Sequence, residues 1–240
     1  MVSRLQGAII AAGRGERLRK GGEDIPKPLV RLNGEPLLTR QARAMVRAGA
    51  DSVLAIVNSE TAGGIERAKI ELPEQLELMV RDTATSMESL LALGERLAAG
   101  HFLLATVDAV IPDVEFRRFV STGLAMVQNR DGQAFDGVLG VVKWRGDRKP
   151  LFAKLSSRGE IVTLGEEETP MVTAGVYLLP SRIFDFAGHA RAANLNALRR
   201  FLAMLIDKRM RLGAIELAEA IDVDEAADLA AARAALEVRR

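Results

Sequence analysis

Residues Gly7–Leu29, GAIIAAGRGERLRKGGEDIPKPL, decide how the rest of the chain is read. The stretch opens on an apolar run, Ala8 to Ala12, which reads as a buried strand. It breaks into a loop rich in glycine and arginine and closes on Pro26-Lys27-Pro28. Such a loop after an N-terminal strand is suited to phosphates. Gly13 and Gly15 let the backbone come close, while Arg14, Arg17, Arg19, Lys20 and Lys27 supply positive charge. The alternative is an ordinary surface loop. Gly13-Arg14-Gly15-Glu16-Arg17-Leu18 shares two glycines with a dinucleotide fingerprint, but Leu18 stands where the third belongs, which disfavours a Rossmann cofactor site. A Walker-type loop matches less well, since no Gly-Lys-Ser/Thr follows.

A chain of 240 residues, 48% of them hydrophobic, is long enough for a sizeable core and excludes wholesale disorder. Lys and Arg total 33 against 32 Asp and Glu, so no global basic excess points to nucleic acid. Charge is local instead: the first loop is basic and Gly165 to Thr169 is acidic. There is no cysteine, and the only histidines are His101 and His189. Zinc is therefore disfavoured, and any metal is expected to be a hard cation held by carboxylates. No apolar segment approaches bilayer length and no signal-peptide pattern opens the chain. A cytoplasmic protein without membrane insertion is expected, and a homo-oligomer is compatible with the sequence.

Beyond the first loop, Leu32-Asn33-Gly34-Glu35 reads as a tight turn, and Pro36 can start a helix carrying Leu38, Ala42, Met45 and Val46 on one face, ended by Gly49. Val53 to Val57 is a strand covered on both faces. A helix over 60–70, a strand over 76–80, a helix over 86–98 and a strand Phe102 to Val107 follow. This alternation predicts an α/β, Rossmann-like three-layer fold with a mainly parallel central sheet. After about residue 130 short strands recur at Asp136–Trp144, Leu151–Ser156, Ile161–Leu164 and Val172–Leu178, which reads as an antiparallel extension. A helix over 195–208, a strand over 211–217 and a helix over 225–238 complete the chain. Without repeat, linker or low-complexity tract, one domain over 1–240 is the economical reading.

Three segments in order, Ala-Ala-Gly-Arg-Gly-Glu-Arg-Leu (11–18), Pro-Lys-Pro-Leu (26–29) and Leu-Asn-Gly-Glu-Pro-Leu-Leu (32–38), closely resemble the nucleotidyltransferase family. That family includes the nucleoside-diphosphate-sugar pyrophosphorylases and cytidylyltransferases for phosphorylated alcohols. The resemblance implies condensation of an NTP with a phosphorylated small-molecule acceptor and release of pyrophosphate. By position, it assigns the nucleotide to the backbone around Ala11, Ala12, Gly13, Arg14 and Gly15. Arg17 would grip the leaving phosphates, and Lys27 would sit between the α-phosphate and the incoming phosphate. Such chemistry needs positioning and neutralisation more than acid–base work.

Asp108 ends the run FLLATV, at the carboxyl edge of a strand, where open α/β sheets bind ligands; a turn or capping Asp is the plain alternative. The family places a Mg²⁺-binding Asp there, usually after glycine, whereas this chain has Val107. A second carboxylate is expected from Asp222 or Asp224, which share one face if the segment is extended. Val-Asp-x-x-x-Asp-Leu spacing resembles cytidylyltransferases and favours Asp224, which could equally cap the last helix. Thr85 and Glu88 have capping-box spacing. Cytidylyltransferase-like relatives keep a similar hydroxyl-rich stretch near the base and ribose, which makes Thr85, Ser86 and Ser89 candidates. Gly175, in a small-Gly-x-Tyr segment, and Lys154 are candidates beside the acceptor. Gly175 equally fits a bulge, and Lys154 a solvated strand lysine. Trp144 and the histidines read as structural. The implied activity is a Mg²⁺-dependent nucleotidyltransferase, CTP favoured and UTP possible. A glycosyltransferase of similar architecture and a non-catalytic nucleotide-binding module are the competing readings.

Overall fold

The computed structural model describes residues 4–13, 15, 25–129, 134–146 and 150–237. Arg14 and Arg17 lie outside them. The core of the sheet is built from apolar runs that alternate between its faces. In β1 (Gln6–Ala11), Ile9 and Ala11 enter one hydrophobic cluster while Ala8 and Ile10 enter another. In β6 (His101–Thr106), Leu103 and Ala105 face the first cluster, Phe102 and Leu104 the second. Two-fold side-chain alternation on strands buried on both sides gives two cores and therefore three layers.

The first face is covered by α1 (Leu37–Arg47), α4 (Asp113–Gln128) and α7 (Ala226–Glu237), through residues such as Met45, Phe119 and Leu229. The second is covered by α3 (Ser86–Gly94) and α6 (Leu198–Asp207), through Leu90, Phe201 and Leu202. The short helices α2 (Ser59–Arg67) and α5 (Ala187–Ala192) complete the helical set among the described residues.

β1 pairs in parallel with β4 (Ser52–Val57) on one side and with β6 on the other, and β4 pairs in parallel with β5 (Leu76–Val80). The chain thus runs outward from β1 to β5 and then returns to the opposite side of β1. The reversal makes the carboxyl ends of β1 and β6 the topological switch point, where a crevice opens above the sheet. Beyond β6 the sheet continues with β11 (Met171–Pro180), antiparallel to β6. β8 (Gly137–Lys143) and β9 (Phe152–Leu155) pair antiparallel with β11, β10 (Ile161–Gly165) with β9, and β12 (Leu212–Glu216) joins β8 in parallel. The antiparallel extension read from the sequence is present, with one parallel strand added at its edge.

Local signals worked where a positive φ was needed. Asn33 and Gly34 have φ of 51° and 85° and turn β2 (Arg31–Leu32) into β3 (Glu35–Pro36). Gly49, at φ 106°, ends α1, although Pro36 stands at the N-cap rather than inside the first turn. Beyond the expectations, the described residues add α4, α5, 3-10 turns over Lys27–Leu29 and Ser181–Phe186, and the two-residue strands β7 (Ala109–Val110) and β13 (Ile221–Asp222).

Candidate active site

Lys27 occupies a stiff position. Pro26 and Pro28 flank it, and the 3-10 turn is closed by the Leu29 amide donating to the Pro26 carbonyl at 2.8 Å. Two fixed proline φ values leave the lysine backbone little freedom, so its placement resides in the fold and its movement in the side chain. The residue is only 7% exposed. Its Nζ donates to Asp108 Oδ2 at 2.6 Å and to Asp224 Oδ1 at 2.7 Å.

The partners arrive from opposite ends of the chain. The Val107 amide bonds the Ile10 carbonyl at 3.1 Å, so β6 guides the chain to Asp108 in the crevice, two residues beyond the strand's end. β7 then pairs antiparallel with β13, setting Asp222 opposite Ala109, and the Val223 amide donates to the Asp108 carbonyl at 3.0 Å. That small ladder carries Asp222 and Asp224 to the end of β6. Asp228, in the first turn of α7, accepts the amides of Asp224 and Glu225 at 3.0 and 2.7 Å and steadies the segment. One ligand oxygen each of Asp108, Asp222 and Asp224 lies within 4.8 Å of the others.

Burial works to lower the Lys27 pKa, but the charges of Asp108 and Asp224 outweigh it and hold the ammonium above its usual range. For Asp108, burial would raise the pKa. The Lys27 charge and hydrogen bonds from Lys27 and Thr106 reverse the sign and hold the carboxylate below its ordinary value. Asp222 goes the other way: lost hydration in the crevice and the neighbouring Asp108 push its carboxyl up to about 7, with Lys27 opposing. Three carboxylates beside one ammonium leave an excess of negative charge, and the least compensated of them retains a proton most readily.

Two cavities meet at this cluster. One, of ≈ 1120 Å³, lies over the carboxyl ends of β1, β4 and β5 and is bounded by Ala12, Gly13, Gly15, Lys27, Asn58, Asp82, Thr85, Ser86, Ser89 and Asp108. The other, of ≈ 1130 Å³, extends over the antiparallel half between β8, β11 and α7. Ser86, Thr106, Asp108 and Asp224 border both. A Cβ at Gly13 would meet no atom of the described residues within 4 Å, which leaves room for close backbone approach to a phosphate. Gly15 has φ 63° and packs on Lys27, where a Cβ would come within 2.7 Å of the Lys27 Cβ.

The structure thus brings most of the sequence candidates together. Lys27, Asp108, Asp222 and Asp224 form one cluster, and Ala12, Gly13, Gly15, Thr85, Ser86 and Ser89 border the first cavity. Ala11 is buried inside β1 with its side chain in the core. Thr85 is the N-cap of α3, its Oγ1 accepting the Glu88 amide at 3.1 Å while Glu88 returns to the Ala84 amide. The Ser89 hydroxyl bonds Thr83 Oγ1 at 2.7 Å, and Ser86 Oγ accepts the Leu198 amide at 3.0 Å. Gly175 borders the second cavity, with φ 71° at a register shift of β11, and a Cβ there would come within 2.8 Å of both Ala109 and Thr106. It is a bulge glycine and a cavity residue at once. Lys154 is exposed on β9 and borders neither cavity.

Residues outside the sequence candidates also border the cavities. Asn58, buried at the end of β4, donates from Nδ2 to the Ala12 carbonyl at 3.1 Å and accepts the Thr61 amide at 2.8 Å. Asp82, past the end of β5, takes the Ser59 amide and hydroxyl at 3.0 and 2.6 Å. Lys143, Arg145 and Arg199 put positive charge on the second cavity. A polar residue just after each parallel strand was a usable signal for Asn58 and Asp82, the same one that marked Asp108.

The chain belongs to the MobA-like NTP transferase domain family, whose model matches residues 7–175, and it is a nucleotidyltransferase. A UTP–glucose-1-phosphate uridylyltransferase of Haloferax volcanii is 40% identical to it over 53 residues, a match spanning 22% of this chain and 22% of that protein. Among solved structures, the inositol-1-phosphate CTP transferase from T. maritima superposes with a TM-score of 0.77 at 18% identity, covering 94% of this chain and 91% of that one. A putative glucose-1-phosphate thymidylyltransferase from Bacillus anthracis gives a TM-score of 0.79 at 15% identity, covering 96% and 94%. At such identities the likeness is one of fold.

Proposed function

We propose that this nucleotidyltransferase condenses a nucleoside triphosphate, CTP in preference to UTP, with a phosphorylated sugar or alcohol in a Mg²⁺-dependent reaction. The products would be a nucleoside-diphosphate-linked compound and pyrophosphate. The observation that carries this reading is the position of Asp108, ion-paired to Lys27, where two cavities of similar volume join. One cavity is bounded by the glycine loop and suits the nucleotide, and the other suits the acceptor. A phosphate oxygen of the acceptor would attack the α-phosphorus, forming a new P–O bond as the bond to the β-phosphate's bridging oxygen breaks and pyrophosphate leaves.

The nucleophile is already ionised, so the chain's own task is to neutralise and align. The Lys27 ammonium, on its rigid proline-flanked turn, offers a point charge between the two phosphates. Gly13 provides close backbone approach. Arg17, from the resemblance, is assigned the departing phosphates, which a guanidinium fork fits. Asp108, Asp222 and Asp224 supply hard oxygen donors in a small, partly open cluster, a donor set that fits magnesium. When bound, the ion would neutralise charge on phosphate oxygens. The preference for CTP rests on the Val223-Asp224 to Asp228-Leu229 spacing and on the hydroxyl-rich segment 83–90.

A panel of CTP, UTP, GTP, dTTP and ATP against phosphorylated sugars and alcohols with Mg²⁺, read as pyrophosphate release, tests the proposal. Release dependent on one acceptor class supports it. Intact nucleotide binding without release across the panel would favour a binding module. Transfer from a nucleotide sugar without any pyrophosphate from NTP would favour a glycosyltransferase.

A further inference from the structure

The carboxylate cluster already holds a cation belonging to the chain. Lys27 Nζ lies 2.6 Å from Asp108 Oδ2 and 2.7 Å from Asp224 Oδ1, with side chains 9%, 23% and 28% exposed, respectively. Those two residues supply two of the three oxygen donors grouped within 4.8 Å. We propose that Lys27 is the resident counter-ion of the Asp108–Asp224 pair, and that it keeps a divalent cation out until a nucleotide polyphosphate draws the ammonium away. This rests on the metal reading above and adds an order of events: the cluster accepts its ion with, or after, the nucleotide.

The physical basis is charge and geometry. An ammonium within hydrogen-bond distance of two partly buried carboxylates repels a divalent ion at the same oxygens in a medium where screening is weak. The backbone of Lys27 is stiffened by Pro26 and Pro28, so exchange proceeds through its four-carbon side chain. The trigger is close at hand. Gly15 of the nucleotide loop packs on the Lys27 Cβ, and Lys27 borders the same cavity as Gly13 and Gly15. A triphosphate in that cavity offers the ammonium new anionic partners, and its departure exposes the carboxylate oxygens when the polyphosphate is present to share the ion. Free enzyme would therefore hold magnesium weakly, despite three carboxylates in one place.

The test reads metal binding rather than turnover. Mn²⁺ binding to nucleotide-free protein, followed by electron paramagnetic resonance of the free ion, is compared for wild type, Lys27→Met, Lys27→Arg and Asp108→Asn, each checked by circular dichroism. Lys27→Met keeps much of the aliphatic bulk and removes the charge, and it should bind Mn²⁺ about tenfold more tightly or better. Lys27→Arg should stay within about threefold of wild type, because it retains the charge. A folded Lys27→Met that binds no more tightly than wild type overturns the proposal. If that variant does not fold, the ¹⁵N-ammonium resonance of Lys27 in wild type decides. It should stay in place with millimolar Mg²⁺ alone and move when NTP is added with it, whereas displacement by Mg²⁺ alone overturns the proposal. Failure of the metal reading is distinct: wild type and Asp108→Asn would then bind Mn²⁺ equally with a non-hydrolysable NTP analogue present.

Discussion

Gly15 adopts φ 63°, and a methyl group there would press on Lys27. Gly15→Ala should therefore cost about 1–2 kcal/mol from left-handed backbone alone, visible in urea unfolding, and should raise the KM for NTP. Asp108→Asn removes a charge at the join of the two cavities and should cut kcat by about 10²–10³, with the far-ultraviolet circular dichroism unchanged. At this scale the sequence was most informative. Asp108 stood out by its place at a strand end, Lys27, Asp222 and Asp224 through the family resemblance, and the four converge in space. The choice between Asp222 and Asp224 was not legible, because both reach the cluster. Their environments differ instead, with Asp224 paired to Lys27 and Asp222 pushed up to about 7 by lost hydration and Asp108. Lys154 shows the reverse limit: a lysine on an antiparallel strand has two faces to choose from, and the face that β9 gives it borders neither cavity.

Among elements, the join between the end of β4 and the nucleotide loop is the most exposed to a single change. Asn58 caps α2 through the Thr61 amide and ties down the Ala12 carbonyl, both from a buried side chain. Asn58→Ala should lower stability by about 2 kcal/mol or more, since it removes an N-cap and leaves a backbone carbonyl without its partner. It should also weaken NTP binding severalfold while leaving acceptor KM unchanged, a split that separates loop positioning from general instability. The long runs that became β1, β4 and β6 were legible because burial on both faces leaves an unbroken apolar signal, whereas the edge strand β5 exposes Glu77 and Val80. Helix α4 was not, although Phe116, Phe119, Val120 and Gly123 hold helical spacing. Ser121-Thr122-Gly123 in its middle have poor helix propensity, and packing on the sheet overrides them. The ladder between β7 and β13 was beyond reach for a different reason. Two-residue strands carry no period, and their pairing joins segments over a hundred residues apart.

For the whole molecule, the strand order explains why distant segments share one site. The reversal at β1 and β6 opens the crevice, β11 and β8 wall its second half, and the chain returns through β13 to close the carboxylate cluster. Ligands that bind across this crevice join elements from both ends of the chain and should stabilise the fold as a unit. NTP with Mg²⁺ at a hundred times the dissociation constant should add about 2.7 kcal/mol, raising Tm by about 5–10 °C in a chain of this size. Chelation with EDTA should remove most of that increase. No helix among the described residues is long and apolar enough to cross a membrane.

The most direct measurement follows the α-phosphorus. With α-³²P-labelled NTP, the acceptor selected from the panel and Mg²⁺, wild type should place the label in a nucleoside-diphosphate-linked product, with one pyrophosphate released per product. Asp108→Asn should form that product about 10²–10³ times more slowly. Label found only in nucleoside monophosphate, or product formed by Asp108→Asn at the wild-type rate, would contradict the account.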